Sequence, residues 1–303
     1  TRKTLDVQKK VVIEEFNQRY LNQPYGDSML LLRPLAYKTH HYRWPTIGIS
    51  VSHIDSIELD HVKDFFYRYY TPENAILTIT GNISPDRAYT LANKWFEPIE
   101  HRKTGSQAIP PEPIQKEART LSVEKEVPID ALYKTWHICG RGENDFFTLD
   151  LLTDLLAGGE SGRLHSKLVR GKNLFSEINA FLSSDIDPGL LILSGRLMKG
   201  VSISEAEQNV NMVIDELRNG IIDHEEMDKV KNRFESSLVI SNTSILNKAM
   251  NLSYYELLGD PGLINLEAER YRAVTREMVR DAAISYLNDN NCSTLHYLSK
   301  NTK

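Results

Sequence analysis

A carboxylate set among aliphatic residues near the start of the chain is the first feature with chemical potential. In the run Val11-Val12-Ile13-Glu14-Glu15-Phe16, a helical step of about 100° per residue puts Glu15 on the side of Gln8, Val11, Val12 and Arg19, and puts Glu14 with Lys10 and Gln18 on the polar face. Glu15 is therefore expected to border the buried face. An ionised carboxylate there needs an ion pair, hydrogen bonds or a metal, because isolated burial costs several kcal/mol. From the residues alone, an arginine of the same domain and a metal ion both remain open as that partner. A catalytic zinc takes three protein ligands and keeps a position for water. The chain has nine histidines, but none stands in His-x-x-Glu-His or His-Glu-x-x-His. His40 and His41 are adjacent in an expected loop, His53 and His61 straddle a helix start, and His137, His165, His224 and His296 stand alone. Each reads as a surface or hydrogen-bonded core histidine, so no catalytic residue is assigned within this chain and it is not expected to assemble a catalytic zinc site by itself.

A second candidate is the stretch Gly158-Gly159-Glu160-Ser161-Gly162-Arg163. Backbone amides at a helix start attract anions, yet the spacing is neither G-x-G-x-x-G nor the P-loop pattern with its lysine, which argues against nucleotide binding. Arg170 closes the helix expected over Ser161 to Arg170, where a basic side chain complements the helix C-terminus. Cys139 and Cys292 lie in apolar, strand-like stretches and read as small buried hydrophobes; two cysteines form neither a disulfide scaffold nor a four-ligand zinc site.

These residues must be positioned by an ordered set of elements. Periodicity and punctuation predict helices over Leu5 to Leu21, Ser28 to Tyr37, Leu59 to Tyr70 and from Ser84-Pro85 to Phe96, with a turn at Thr71 to Asn74 and a strand over Ala75 to Thr80. His40 to Ile47 reads as an irregular loop. Prolines at 98, 110, 111 and 113 among polar residues mark a linker. Beyond it come strands over Arg119 to Val127 and Leu132 to Cys139, a helix over Phe146 to Ala157, the glycine break and the helix to Arg170. Strands then follow over Leu174 to Ser183 and Gly189 to Leu197, helices over Ser204 to Arg218, Glu225 to Ser241, Ile245 to Leu258 and Thr275 to Leu287, and a last strand over Ser293 to Leu298. One constant shift carries Val62, Asp64, Tyr69 and Asn74 onto Val279, Asp281, Tyr286 and Asn291. That shift points to a duplicated domain whose first copy is incomplete, although two unrelated helix-to-strand units would produce the same short match. The expected class is α+β, with helices covering one face of mostly antiparallel sheets. The expected divisions are 1–98, the latter part of a first domain; 99–118, a linker; and 119–303, a second domain.

Composition narrows the function classes. Lys and Arg (36) are interspersed with Asp and Glu (41) for a net charge of -5, so no basic stripe gathers phosphates and nucleic acid is not an expected partner. No apolar run approaches the roughly 18 residues that would span a bilayer, so a soluble chain is expected, with cytoplasm and periplasm both open. The start at Thr1 inside a helical pattern is expected of a piece of a longer protein.

The strings Val7-Gln8-Lys9-Lys10-Val11-Val12-Ile13-Glu14-Glu15-Phe16, Tyr42-Arg43-Trp44-Pro45-Thr46-Ile47-Gly48 and Pro72-Glu73-Asn74-Ala75-Ile76-Leu77-Thr78-Ile79-Thr80-Gly81-Asn82 together resemble the zinc metallopeptidases of family M16, the pitrilysin, insulin-degrading and mitochondrial processing peptidase group, in its bacterial branch. Leu155 to Arg170 is similar to the glycine-rich turn and helix of that family's second, non-metal domain. The resemblance implies two homologous domains, a Zn2+ cofactor in the complete protein and hydrolysis of peptides or unfolded polypeptides. It implies that Glu15 is the zinc ligand from the later helix, the His-x-x-Glu-His part lying outside this chain, and that Arg170 helps to hold the substrate backbone. It further implies single chains, homodimers or heterodimers with another chain of the family. Gln8 stands where the family usually has a glutamate, and the usual tyrosine is missing near Ser176. Those departures point to the alternative of a non-catalytic subunit that binds a peptidase partner or a peptide without cleaving it.

Overall fold

A computed structural model of the protein describes residues 1–102, 108–183 and 185–300. Residues 103–107 of the expected linker lie outside the described residues. The chain forms two compact units, each discontinuous in sequence. One gathers Thr1–Glu14, Ser50–Ala108 and Phe234–Glu269, and the other gathers Glu15–Ile49, Ile109–Arg233 and Arg270–Lys303. The sequence-based divisions run along the chain, whereas these units draw on separate stretches of it.

The second unit is built on a five-stranded sheet of β1 (Arg119–Lys125), β2 (Ala131–His137), β3 (Phe175–Leu182), β4 (Leu190–Leu197) and β5 (Cys292–Ser299), in the order β1-β5-β2-β4-β3. The β1–β5 pair is parallel, with Leu121 opposite Leu295, and the other pairs are antiparallel. Side chains alternate between faces along each strand. One face presents Ala131, Tyr133, Leu190, Ile192, Leu295 and Tyr297, on which Leu32, Ala36 and Tyr37 pack. These come from helix α2 (Ser28–Ala36) and its C-cap. On the opposite face, α6 (Asp145–Ala157) is apolar around nearly its whole circumference and is buried accordingly. Helix α7 (Ile203–Asn219) buries only the stripe Ala206, Val210, Val213, Ile214 and Leu217, spaced for one helical face. Its N-cap Ser202 accepts from the Glu205 amide. The α+β class therefore holds, and α2 adds cover on a second face of the sheet that periodicity alone did not assign.

The first unit is helical among the described residues. It includes most of α1 (Arg2–Phe16), α3 (Val51–Asp55), α4 (Leu59–Tyr69), α5 (Pro85–Phe96) and α9 (Ile245–Leu257). The strand expected over Ala75 to Thr80 is not one: the segment joins no ladder. A strand exists only through a neighbour that takes up its amides and carbonyls, and here the Ala75 amide donates back to the Pro72 carbonyl at 3.1 Å while the segment's links to α9 come from side chains. Thr78 Oγ1 accepts from Ser253 Oγ of α9 at 2.7 Å, and Thr80 Oγ1 donates to the Ile245 carbonyl at 3.1 Å. Phe65, Phe66, Tyr70, Leu77 and Trp95 stay exposed. An open cleft of about 680 Å³ lies between Phe65, Phe66, Tyr69, Tyr70, Phe96 and Ile99.

The remaining helices are α8 (His224–Ser241), α10 (Glu267–Ala273) and α11 (Arg276–Tyr286). The shift that carries Val62 onto Val279 now carries much more. Applied to residue numbers, it matches the bounds of α4 to those of α11, the 3-10 turn Pro72–Asn74 to Asp289–Asn291, α2 to the start of α9 and α3 to α10. Even a detail repeats: Asn74 Nδ2 donates to the Tyr69 carbonyl at 3.0 Å, and Asn291 Nδ2 to the Tyr286 carbonyl at 2.8 Å. This shared bond and the matching element bounds support the duplicated-domain reading, in which Ala75 to Thr80 corresponds to the beginning of β5.

Candidate functional site

Glu15 lies near the end of α1, which continues into a π-helical turn over Asn17–Leu21 in place of the uniform helix expected to Leu21. The helix turns inward Phe16, buried, with Leu5, Val12 and Ile13 half-buried, and leaves Val11 exposed. Glu15 does not border the buried face. It is exposed and pairs with Arg19 one turn on, Oε1 to Nη2 at 2.9 Å. The inward stripe runs through Val12, Ile13 and Phe16, and Val11 lies outside it. The pair with Arg19 supplies the arginine that the sequence left open as one partner, and an exposed pair of this kind is worth only about 0.3–0.5 kcal/mol. Gln8 is exposed on the same helix.

Among the described residues no group of three His, Cys, Asp or Glu side chains is placed to hold a metal ion. The residues present therefore do not by themselves fit a zinc ion, and Glu15 offers at most one oxygen to a ligand set completed elsewhere. Several histidines have structural partners: His40 Nε2 pairs with Asp187 at 3.4 Å, His137 Nε2 meets the Ala36 carbonyl at 3.2 Å, and His224 pairs with Asp228. Burial pushes the His137 pKa down. Cys139 and Cys292 are both buried free thiols, as expected, and desolvation raises the first to about 12.

The glycine-rich stretch is less uniform than the helix expected over Ser161 to Arg170. A 3-10 turn over Gly159–Ser161 is followed by a π-helical turn over His165–Gly171. Gly159 has φ +74°, and a Cβ on Gly158 would sit 2.3 Å from the Asp154 carbonyl oxygen and 2.8 Å from Arg233 Nη1. The glycines thus serve close packing of backbone, with no ligand needed to explain them. Arg170 is exposed in the last turn and makes no hydrogen bond or ion pair among the described residues. Ser176, near which the expected tyrosine is absent from the sequence, sits at an irregularity in β3 between Phe175 and Glu177, and its hydroxyl donates to the Arg196 carbonyl at 3.2 Å. Glu15 and Arg170 each stand at the surface without a buried partner.

Two polar arrangements escaped the sequence reading. Glu207 on α7 accepts from Lys134 Nζ at 2.6 Å and meets His296 Nε2 at 2.8 Å across the sheet face. Glu112, inside the expected linker, accepts from the amides of Lys38, Thr39 and His40 at 2.7–2.8 Å. Gln115 Nε2 donates to the Cys292 carbonyl at 2.7 Å. The proline-rich stretch from Ile109 to Glu117 is therefore strapped to the second unit. Proline spacing signals extension but cannot announce which backbone an acidic side chain will find.

Comparison with known proteins supplies what the geometry leaves open. A family profile described as "Peptidase M16 inactive domain" matches residues 56–234, more than half of the chain. The zinc protease PqqE of Helicobacter pylori is 26% identical over 294 residues, covering 95% of this chain and 65% of the relative. An uncharacterized zinc protease, YmxG of Bacillus subtilis, is 26% identical over 255 residues, covering 84% of this chain. The chain thus spans 65% and 60% of the lengths of these two relatives. Among solved structures, a protease from Helicobacter pylori superposes with a TM-score of 0.91 at 24% identity, covering 98% of this chain and 72% of that one. The peptidase M16 inactive domain from Pseudomonas fluorescens gives 0.83 at 19% identity, covering 98% and 71%.

Proposed function

The chain belongs to the peptidase M16 family, and from that premise we propose that it is the later portion of a zinc-dependent metalloendopeptidase that hydrolyses peptides or unfolded polypeptides. Its two curated relatives are both named zinc proteases, which supports Zn2+ as the cofactor of the longer protein. In this reading Glu15 contributes one carboxylate oxygen to a zinc whose other ligands come from outside this chain. The observation that carries it is the availability of Glu15: its carboxylate faces solvent and among the described residues is engaged by Arg19 alone, a contact that a cation displaces at small cost. Zinc would supply Lewis acidity and an activated water. What this chain itself contributes is binding and orientation. Arg170, exposed with no partner among the described residues, offers a planar five-donor fork suited to peptide carbonyls or a carboxylate. Pairing with another chain of the family belongs to the same proposal, as do the divisions 1–98, 99–118 and 119–303 as its two domains and linker.

A second reading, a subunit of this family that binds without cleaving, is favoured by Gln8 in place of the usual glutamate and by Ser176, whose hydroxyl is turned to the β4 backbone. One experiment separates the two. Zinc content and hydrolysis of an unfolded polypeptide are measured on the full-length protein and its Glu15→Gln variant. The peptidase reading expects about one zinc per active chain and loss of most metal and activity in the variant. Full zinc and full activity in Glu15→Gln would remove Glu15 from the metal shell, and a full-length protein with neither zinc nor activity would leave the binding subunit.

A further inference from the structure

We propose that Arg163 is a positioning residue for Arg170, gripped from behind by α8; the inference rests on the substrate role given to Arg170 above. Arg163 Nε and Nη2 donate to Glu226 Oε1 and Oε2 at 2.9 and 2.7 Å, two parallel bonds between side chains only 12% and 20% exposed. Charge-assisted, bidentate contacts of this kind fix direction as well as distance. One turn along α8, Lys229 Nζ donates to the Ser161 carbonyl at 3.3 Å, and one turn further Arg233 Nη1 pairs with Asp154 Oδ1 at 3.6 Å. Glu226, Lys229 and Arg233 share one helical face, so three successive side chains hold the turn that runs from Asp154 to Arg163. Gly158 allows that approach because no side chain fits between Asp154 and Arg233.

The π-helical turn His165–Gly171 follows within two residues of Arg163, with Leu164 and Leu168 buried beneath it. Turns of this kind are rare and persist where their surroundings hold them. On the far side Asn173 has φ +52°, a conformation of limited freedom for a residue other than glycine. There the Lys172 amide donates to the Lys167 carbonyl at 2.9 Å and the Leu174 amide to the Leu168 carbonyl at 2.8 Å, so the turn is held at both ends while Arg170 itself has no partner among the described residues. A fixed turn leaves only one side chain to be ordered when an extended peptide binds, which preserves affinity. Arg163 performs this as a planar fork, and a lysine there keeps the charge but cannot make two parallel bonds.

The test uses the full-length protein carrying Arg163→Lys, Glu226→Gln or Arg170→Gln, with amide hydrogen exchange over 164–173 and binding of an unfolded polypeptide as separate readouts. Positioning expects exchange over 164–173 to rise about tenfold in the first two variants, with protection of β2, β4 and β5 retained. It expects KM, or Kd where no cleavage occurs, to weaken in Arg163→Lys with little change in kcat, and Arg163→Lys to add nothing on top of Arg170→Gln. Unchanged exchange, or additive losses in the double variant, would overturn the proposal. Raised exchange with a peptide affinity indifferent to Arg170→Gln would leave the grip standing, refute the substrate role of Arg170 and so overturn the positioning of Arg170 for substrate.

Discussion

At Glu207 one carboxylate serves two donors across a sheet face. The hydrogen bond with His296, and after it the one from Lys134, hold its carboxyl down to about 2 against an ordinary 4.5. Because the folded value is the lower one, the stabilisation is fully present above about pH 4.5 and is lost as the pH falls from there toward 2. Glu207→Gln should therefore lower unfolding free energy near neutral pH by about 1–3 kcal/mol and flatten the acid limb of the denaturation curve. Equal slopes of the two proteins in acid would show that Glu207 does not govern that limb. Nothing local in the sequence revealed this site, because its three members come from a strand, a helix and the last strand. Glu15 shows the converse. Its chemical type and helical setting were legible, but its side of the helix was not, because Val11 and Val12 are equally aliphatic and only Val12 is turned inward.

Among elements, those with strong periodicity or clear caps were legible: α4, α5, α7, α11 and the five strands of the second unit all fall close to their expected ranges. The π-helical turns at Asn17–Leu21 and His165–Gly171 were not, since their side-chain spacing differs too little from an ordinary helix. Ala75 to Thr80 has strand chemistry without strand partners. Its counterpart shows what partners contribute, for β5 is paired on both sides, and the turn before it is pinned by Asn291, whose Nδ2 donates to the His137 and Tyr286 carbonyls, each at 2.8 Å. Asn291→Ala removes both bonds and should cost about 1–3 kcal/mol, whereas Asn74→Ala, with a single bond, should cost clearly less. Thermal denaturation of the two variants tests this, and a larger loss for Asn74→Ala would contradict the pairing of the two turns.

For the molecule as a whole, the organisation follows from helix α2. It precedes the expected linker and yet covers Tyr133, Leu190, Ile192, Leu295 and Tyr297 in the second unit. Tyr25 Oη donates to the Ile129 carbonyl at 2.7 Å, and Tyr37 Oη to that of Pro188 at 3.1 Å. A chain of 109–303 alone would expose this face, so it should bind a hydrophobic dye and self-associate. Restoring 15–49 should abolish both behaviours. A dispersed, cooperatively folding 109–303 would show that α2 is dispensable.

By number α2 corresponds to the start of α9, whose Ser253 reaches Thr78. The two helices nevertheless differ in when they are made. Synthesis delivers α2 before the sheet it covers, so the second unit closes as its last strand emerges. It delivers Ala75 to Thr80 long before α9. At about 5–20 residues per second, the wait from that segment to Phe234 is on the order of ten seconds. Through that interval Thr78 and Thr80 lack the α9 groups to which they are bonded in the finished unit, whereas α2 already exists when β2, β4 and β5 emerge to be covered by it.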